Sequence, residues 1–313
     1  MEKFGHDFSF WPALEKGFSN GSRSSAHPRA GCIQNAQRIV SSRQEHAGSG
    51  KLEGMIPDAR TAELLSAGEL LLEARRTATP LADLPVPLQP TSLEEAYFVQ
   101  DAMARSLEPS GIRAWKVGAP APDATPMFGP MISAWIADDA SVLADPRIRL
   151  RGLEAEISFL IGQDLPPRLT PYTREEIVDA IASCHPAIEE LEAGLLAPSK
   201  VARFTMIADL QMHGGFVHGP AVSGWQQIDF SKESVLLAVD GSVRVERTAS
   251  NTAGTDLLRL MLYLANEGAV RTGGLKRGDW ITTGSWTGNT FASAGSEVDV
   301  RFSTAGNVSL RFA

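Results

Sequence analysis

The chain of 313 residues has only two cysteines, Cys32 and Cys184. They lie in stretches of different character, so no disulfide framework is expected and a reducing, cytoplasmic setting fits. No run of about 18 apolar residues occurs, which excludes an apolar helical membrane span. Cations are in the minority: 29 Lys and Arg stand against 37 Asp and Glu, a formal net charge of -8. Nucleic acid is therefore not an expected partner, because phosphate binding needs clustered Lys and Arg. GxGxxG, Walker, HExxH and CxxC signatures are all absent. The string GSWTG is not a GxSxG elbow, because its serine directly follows the first glycine.

Residues 1–54 differ from the rest. SNGSRSSAHPRAGC and SSRQEHAGSGK are rich in Ser, Gly, Arg and His. Apolar residues there keep no period of 2 or 3.6, so the segment cannot bury enough surface to offset its ordering entropy. We expect a disordered or non-native extension, in which Phe8, Phe10 and Trp11 could form a small docking motif. A single catalytic domain is expected over 55–313, helical over 55–110 and β-rich over 111–313.

Asp58 can cap a first helix with Ala62, Leu65, Ala67, Leu70, Leu71 and Ala74 on its apolar face. Ser92 and Glu95 form a capping box for a second helix, with Ala96, Val99 and Met103 inward. After Gly111 strands dominate. RAWKVG is short and RLRGLEAEISFLIG long. Thr173 and Glu176 open a helix that runs through Ile177 and Ile181 towards Cys184, after which Pro186 resets the chain. VLLAV-DG-SVRVE is a hairpin. An apolar helix occupies 255–267, DWITTG is a buried strand, and two alternating strands close the chain. The class is α+β: a small helical N-terminal part, then a mixed β body.

Two apart in a strand, Glu154 and Glu156 share a face. Side by side their charges repel, and a hard divalent cation with oxygen preference reverses that. A solvated edge strand would show the same spacing. In HPAIEELEAG, one of Glu189, Glu190 and Glu192 could complete a three-carboxylate site; an acidic surface turn is the plain alternative. Lys116 sits among apolar neighbours, where it must be paired, lose its charge or reach the surface.

LEAEISFLIGQDLP, a capped helix, HPAIEELEAG and GDWITTGSWTG, in that order, resemble the fumarylacetoacetate hydrolase superfamily. The likeness runs from about Met55 to Ala313. Its branch is that of the 2-oxopent-4-enoate hydratases and 4-oxalocrotonate decarboxylases. The resemblance implies a β-sandwich or β-roll body, often oligomeric, so a homo-oligomer is expected. It implies Mg²⁺ or Mn²⁺ on Glu154, Glu156 and Glu189, with Lys116 as the catalytic strand lysine. Thr283, Gly284 and Ser285 would border the substrate carboxylate, and Glu192 and Asp209 would stand behind the ligands. The implied reaction is addition of water to a 2-hydroxy-2,4-dienoate through an enolate held at the cation.

Departures from the pattern open alternatives. Hydratases of the branch carry a proton-transfer Asp in a PDFG-like string; here TPMFGP has Met127 there, an apolar residue as in the decarboxylases. A decarboxylase or tautomerase of a 4-oxalocrotonate-like acid is therefore the runner-up. A non-catalytic partner subunit is the third reading. In the family's ADNxS string, Asp209 is kept and Leu210 replaces Asn, with His213 nearby. No His lies between Ala47 and Cys184, which argues against hydrolysis by a His–Glu pair. Phe128, Met131, Trp135 and Trp286 are candidates to line the pocket or to fill the core.

Overall fold

A computed structural model describes residues 58–313. The extension expected over 1–54, with its aromatic motif and Cys32, lies outside the described residues. The described residues open with two helices, α1 (Asp58–Arg76) and α2 (Leu93–Leu107). α1 buries Leu64, Ala67, Leu71 and Ala74, and leaves Leu65 and Leu70 exposed. The apolar face is thus rotated from the expected one, because Gly68 lets α2 approach: a Cβ there would lie 3.5 Å from Met103. Ala96, Val99 and Met103 of α2 are buried as expected. Its cap is half the expected box. Ser92 accepts from Glu95 N at 3.2 Å, while the Glu95 carboxylate turns to Thr91 N at 2.7 Å.

The body has two sheets. Its strands are β1 (Ala114–Gly118), β2 (Met127–Pro130), β3 (Ile136–Asp138), β4 (Ser141–Leu143), β5 (Gly152–Ile161), β6 (Ile181–Leu191), β7 (His213–His218), β8 (Ser234–Val239), β9 (Ser242–Thr248), β10 (Trp280–Thr282), β11 (Thr290–Phe291), β12 (Glu297–Phe302) and β13 (Asn307–Phe312). The larger sheet runs β2-β1-β10-β5-β6-β7-β3, with β11 also on β5; the smaller runs β4-β13-β12-β8-β9. Period 2 sorts the residues of the larger sheet. Ala155, Ile157 and Phe159 face the smaller sheet in one core with Val298, Val300, Val308 and Leu310. Glu154 and Glu156 face the other way.

Two expectations hold in detail. Asp240 and Gly241 both take positive φ, 51° and 72°, as the tight β8–β9 turn requires. Thr173 and Glu176 make both bonds of their box at α3 (Arg174–Ala180). One fails: α3 stops at Ala180, and 181–191 is an interior strand rather than helix and turn. β-Branched Ile181 and Ile188 suit that strand. Pro186 is tolerated because β7 has ended beside it, and Gly219 N donates to Pro186 O at 2.8 Å, so no ladder bond needs the missing N–H.

A short helix α4 (Arg203–Ala208) precedes β7, and α5 (Leu257–Tyr263) continues into a π turn at Leu264–Gly268. Among the described residues, no helix is long and apolar enough to cross a membrane.

Candidate metal centre

In the β5–β6 ladder Glu154 stands opposite Glu189, and Glu156 opposite Ala187. The three glutamates therefore meet on one face, and a carboxylate oxygen from each lies within 4.8 Å of the others. Glu189 and Glu156 are buried and Glu154 is half-buried, so the cluster opens on the Glu154 side. Both strands are interior, which rules out the solvated edge strand and the acidic surface turn. Alternation also decides among the acids of β6: Glu190 faces away, buried with neither oxygen bonded, and burial pushes its carboxyl well above the usual range.

Lys116 is buried, not snorkelling. Its Nζ lies 2.6 Å from Glu189 Oε1 and donates to Gln211 O at 3.1 Å. His213 Nδ1 is 3.3 Å from the same Glu189 oxygen. Glu156 Oε2 accepts from Thr282 Oγ1 and, at 3.0 Å, from Gly284 N. Asn251 Nδ2 clamps the turn by donating to Thr283 O and Gly284 O, at 3.0 and 2.9 Å. Thr283 itself turns away, donating to Ile157 O at 2.6 Å. Ser285 lies beside Glu154, where its hydroxyl helps to draw the carboxyl down against burial.

Burial opposes charge at every acid here. It pushes Glu154 up to about 7, with Lys116 pulling the other way, and raises Glu156 well above its ordinary range, helped by Glu189 and Glu154. At Glu189 burial is outweighed by Lys116 and His213, and the carboxyl is held low. Burial likewise disfavours the Lys116 ammonium, but Glu189, Glu154 and Glu156 outweigh it and keep it charged. Three carboxylates thus face one ammonium. Among the described residues, Glu189 Oε2 has no donor, a loss of about 1–3 kcal/mol for a buried polar atom. A divalent cation with hard oxygen preference satisfies both the charge and the orphan oxygen, so these residues fit one.

Other expected site residues sit elsewhere. Asp209 pairs with Arg75 at 2.5 Å and accepts from Gly194 N at 2.7 Å. Glu192 accepts from Leu150 N at 2.6 Å and Ala193 N at 2.8 Å. Neither bonds to the three acids; they fix the chain around the β6–β7 end. Phe128, Met131 and Trp286 are core. Trp135 lines a cavity of about 160 Å³, stacks on His213 at 5.7 Å and carries Arg147 at 4.5 Å over its ring. Met127 pairs with Gly118, so its buried side chain shares the face of Lys116; Arg203 Nη2 lies 3.0 Å from its sulfur.

Three contributors escaped the sequence reading. Thr282, rather than Thr283, faces the acids, because its register partner is Ser158. That register joins two strands far apart in sequence, and local spacing does not encode it. Gln211 and His213 carried no signal either. Leu210, Gln211 and Met212 form a left-handed turn, with φ of 50°, 51° and 64°. No sequence rule predicts that for three non-glycine residues, at roughly 1–2 kcal/mol each.

No family model matches the chain. A curated relative, the TodF product hydratase of Pseudomonas putida strain F1, is 24 % identical over 273 residues, covering 82 % of this chain and 97 % of the relative. The 4-oxalocrotonate decarboxylase of Pseudomonas putida G7, complexed with magnesium and adipate, matches with a TM-score of 0.70 at 22 % identity, covering 80 % of this chain and 98 % of that one. The same enzyme complexed with calcium and acetate gives 0.69 at 22 % identity, over the same shares. Sequence likeness along nearly all of a curated hydratase and fold likeness to a decarboxylase agree with the order of motifs: the chain is similar to hydratases and decarboxylases of the fumarylacetoacetate hydrolase type.

Proposed function

We propose that this chain is a divalent-cation-dependent hydratase of a short 2-hydroxy-2,4-dienoate, acting as one catalytic unit over residues 55–313. The observation that carries the reading is the meeting of Glu154, Glu156 and Glu189 with Lys116 on one half-open face. The three glutamates would hold Mg²⁺ or Mn²⁺. Such an ion supplies Lewis acidity towards a 2-oxo acid and offsets its carboxylate charge. Lys116, kept as an ammonium by Glu189, faces the charge that develops at the 2-oxygen on enolisation. One well-placed group of this kind contributes about 3–4 kcal/mol. Thr282 and Gly284 N hold Glu156 in place, and Gly284 and Ser285 border the substrate carboxylate. The curated hydratase supports addition of water as the outcome. The test is loss of dienol absorbance with 4-hydroxy-2-oxo acid as product, dependent on added Mg²⁺ or Mn²⁺. A cation-loaded sample that leaves short dienoates unchanged ends this reading.

A second reading rests on Met127. Decarboxylation of a vinylogous 2-oxo dicarboxylate uses the same enolate and needs no acid on β2, where this chain has none. Carbon dioxide release from 2-oxohex-3-enedioate, without hydration, selects it.

A further inference from the structure

Lys116 and Gly129 are partners in the β1–β2 ladder. The place a Cβ would take on Gly129 therefore shares the Lys116 face, about 5 Å from the lysine Cβ. No side chain fills it. The nearest atoms to that point are Gln100 Nε2 at 3.4 Å, Gln211 Oε1 at 3.5 Å and Gln100 Oε1 at 3.6 Å. Gln100 comes from α2 and is fully buried. Its Nε2 donates to Ile207 O at 2.5 Å, which fixes the amide and leaves Oε1 without a donor. Gln211 comes from the left-handed turn. Its backbone carbonyl accepts from Lys116 Nζ, and its side-chain Oε1 is likewise buried without a donor among the described residues.

Two buried acceptors thus converge above a missing side chain, beside the ammonium of the proposed catalytic lysine. Left unmet, each costs about 1–3 kcal/mol. Their ligand must give two protons and be small; water is the smallest such donor. The strained turn is what brings Gln211 there, and such strain gathers at functional sites.

The geometry points to a nucleophile subsite: Gln100 Oε1 and Gln211 Oε1 hold the water that adds to the substrate. This rests on the hydratase reading above. A water donating both protons to the two amides turns its lone pairs towards the substrate. Its oxygen bonds to C4 of the conjugated 2-oxo-3-enoate, and the C3–C4 π pair moves to leave the 2-enolate. The water gives up one proton to solvent water, and a solvent proton is delivered to C3, so the sum is addition of H₂O. The amides orient the water and take no proton themselves. The subsite gives this chain a place for the nucleophile although Met127 leaves β2 without an acid.

Gly129→Ala tests it. The new methyl makes only ordinary contacts, and Gly129 is not in the left-handed region, so the strand is kept. With the full chain and Mg²⁺, two rates are followed: hydration of 2-hydroxypenta-2,4-dienoate, and deuterium uptake into the pyruvate methyl, which reads enolisation alone. Hydration should fall at least about 10²-fold, the usual cost of a misplaced reactant, with deuterium uptake within about 2-fold of wild type. Gln211→Leu should also lose hydration at least about 10²-fold and serves if Gly129→Ala misfolds. Hydration at the wild-type rate in both variants overturns the subsite. So does a wild type that exchanges pyruvate yet hydrates no dienoate, while enolisation survives. If the wild type fails to exchange, the proposed function falls instead, and a high-resolution crystal structure judges the subsite. Water bonded to both amide oxygens supports it; its absence overturns it.

Discussion

Lys116 Nζ and Glu189 Oε1 lie 2.6 Å apart, with side-chain exposures of 9 % and 0 %. Breaking a buried pair from one side costs about 3–5 kcal/mol, because the other charge stays behind. In Lys116→Met, the metal-free protein should melt lower by on the order of 10 °C. Mg²⁺ should restore most of that loss, since the three glutamates remain. Turnover should stay down at least about 10²-fold, the low end for a proton-transfer group. Calorimetric Mg²⁺ binding and turnover check the two halves separately. Wild-type turnover would remove Lys116 from the chemistry.

Glu156→Gln keeps the shape of the side chain, and an amide oxygen can still accept from Thr282 and Gly284 N. Only the charge is lost. The variant should fold, with unchanged circular dichroism, and should no longer bind Mg²⁺. In the wild type, Mg²⁺ at 100 times its Kd should add about 2.7 kcal/mol of stability, and a chelator should remove it. A melting point of Glu156→Gln that still climbs with Mg²⁺ would take Glu156 out of the ligand set.

These two residues also mark how far the sequence is legible. Strand alternation alone places Glu154 and Glu156 on one face, and the terminal hairpin could be read the same way. The choice of Glu189 over Glu190 depends on register across two strands, which local spacing does not encode. The stretch at 181–191 misleads because a capping box starts a helix without saying where it ends. Proline then suggests a break that tertiary pairing overrides. Gln100 and Gln211 lie 111 positions apart at the subsite, and only the packing of α2 against the left-handed turn brings them together.

Arg60 clamps α2 through Glu95, with Nε–Oε1 at 2.9 Å and Nη2–Oε2 at 2.8 Å. The guanidinium, opposed by burial and helped by Thr91, draws the Glu95 carboxyl down to about 2. A depressed folded-state value means the folded state binds fewer protons than the unfolded chain. The stabilisation is present above the ordinary value of 4.5 and is lost as pH falls towards 2. Glu95→Gln should cost about 1 kcal/mol at pH 7, and wild type and variant should converge near pH 2–3 in acid denaturation. An equal gap at both ends of the titration would deny the clamp its charge.

Met127 offers a gain-of-function test. Its side chain shares the Lys116 face, and Arg203 at its sulfur could pair with a carboxylate placed there. Met127→Asp should raise the ratio of hydration to decarboxylation by at least about 10²-fold, the low end for a proton-transfer group. Both products can be followed in one reaction by proton NMR. An unchanged ratio would show that position 127 does not choose between the two outcomes.

The left-handed turn separates stability from chemistry at one residue. Gln211 holds φ 51° and ψ 39°, a conformation that costs a side-chain-bearing residue roughly 1–2 kcal/mol and glycine nothing of that kind. Gln211→Gly keeps the backbone carbonyl on Lys116 and removes only the amide above Gly129. The glycine also adds freedom to the unfolded chain, about 0.4–1 kcal/mol, which offsets part of the relief. The variant should therefore melt at or slightly above the wild-type temperature. Mg²⁺ binding and enolisation should be unchanged, and hydration should be lost. A protein destabilised by several kcal/mol would mean that the amide is packing rather than a ligand for water. Retained hydration in a well-folded variant would mean that the strain serves the Lys116 carbonyl contact alone.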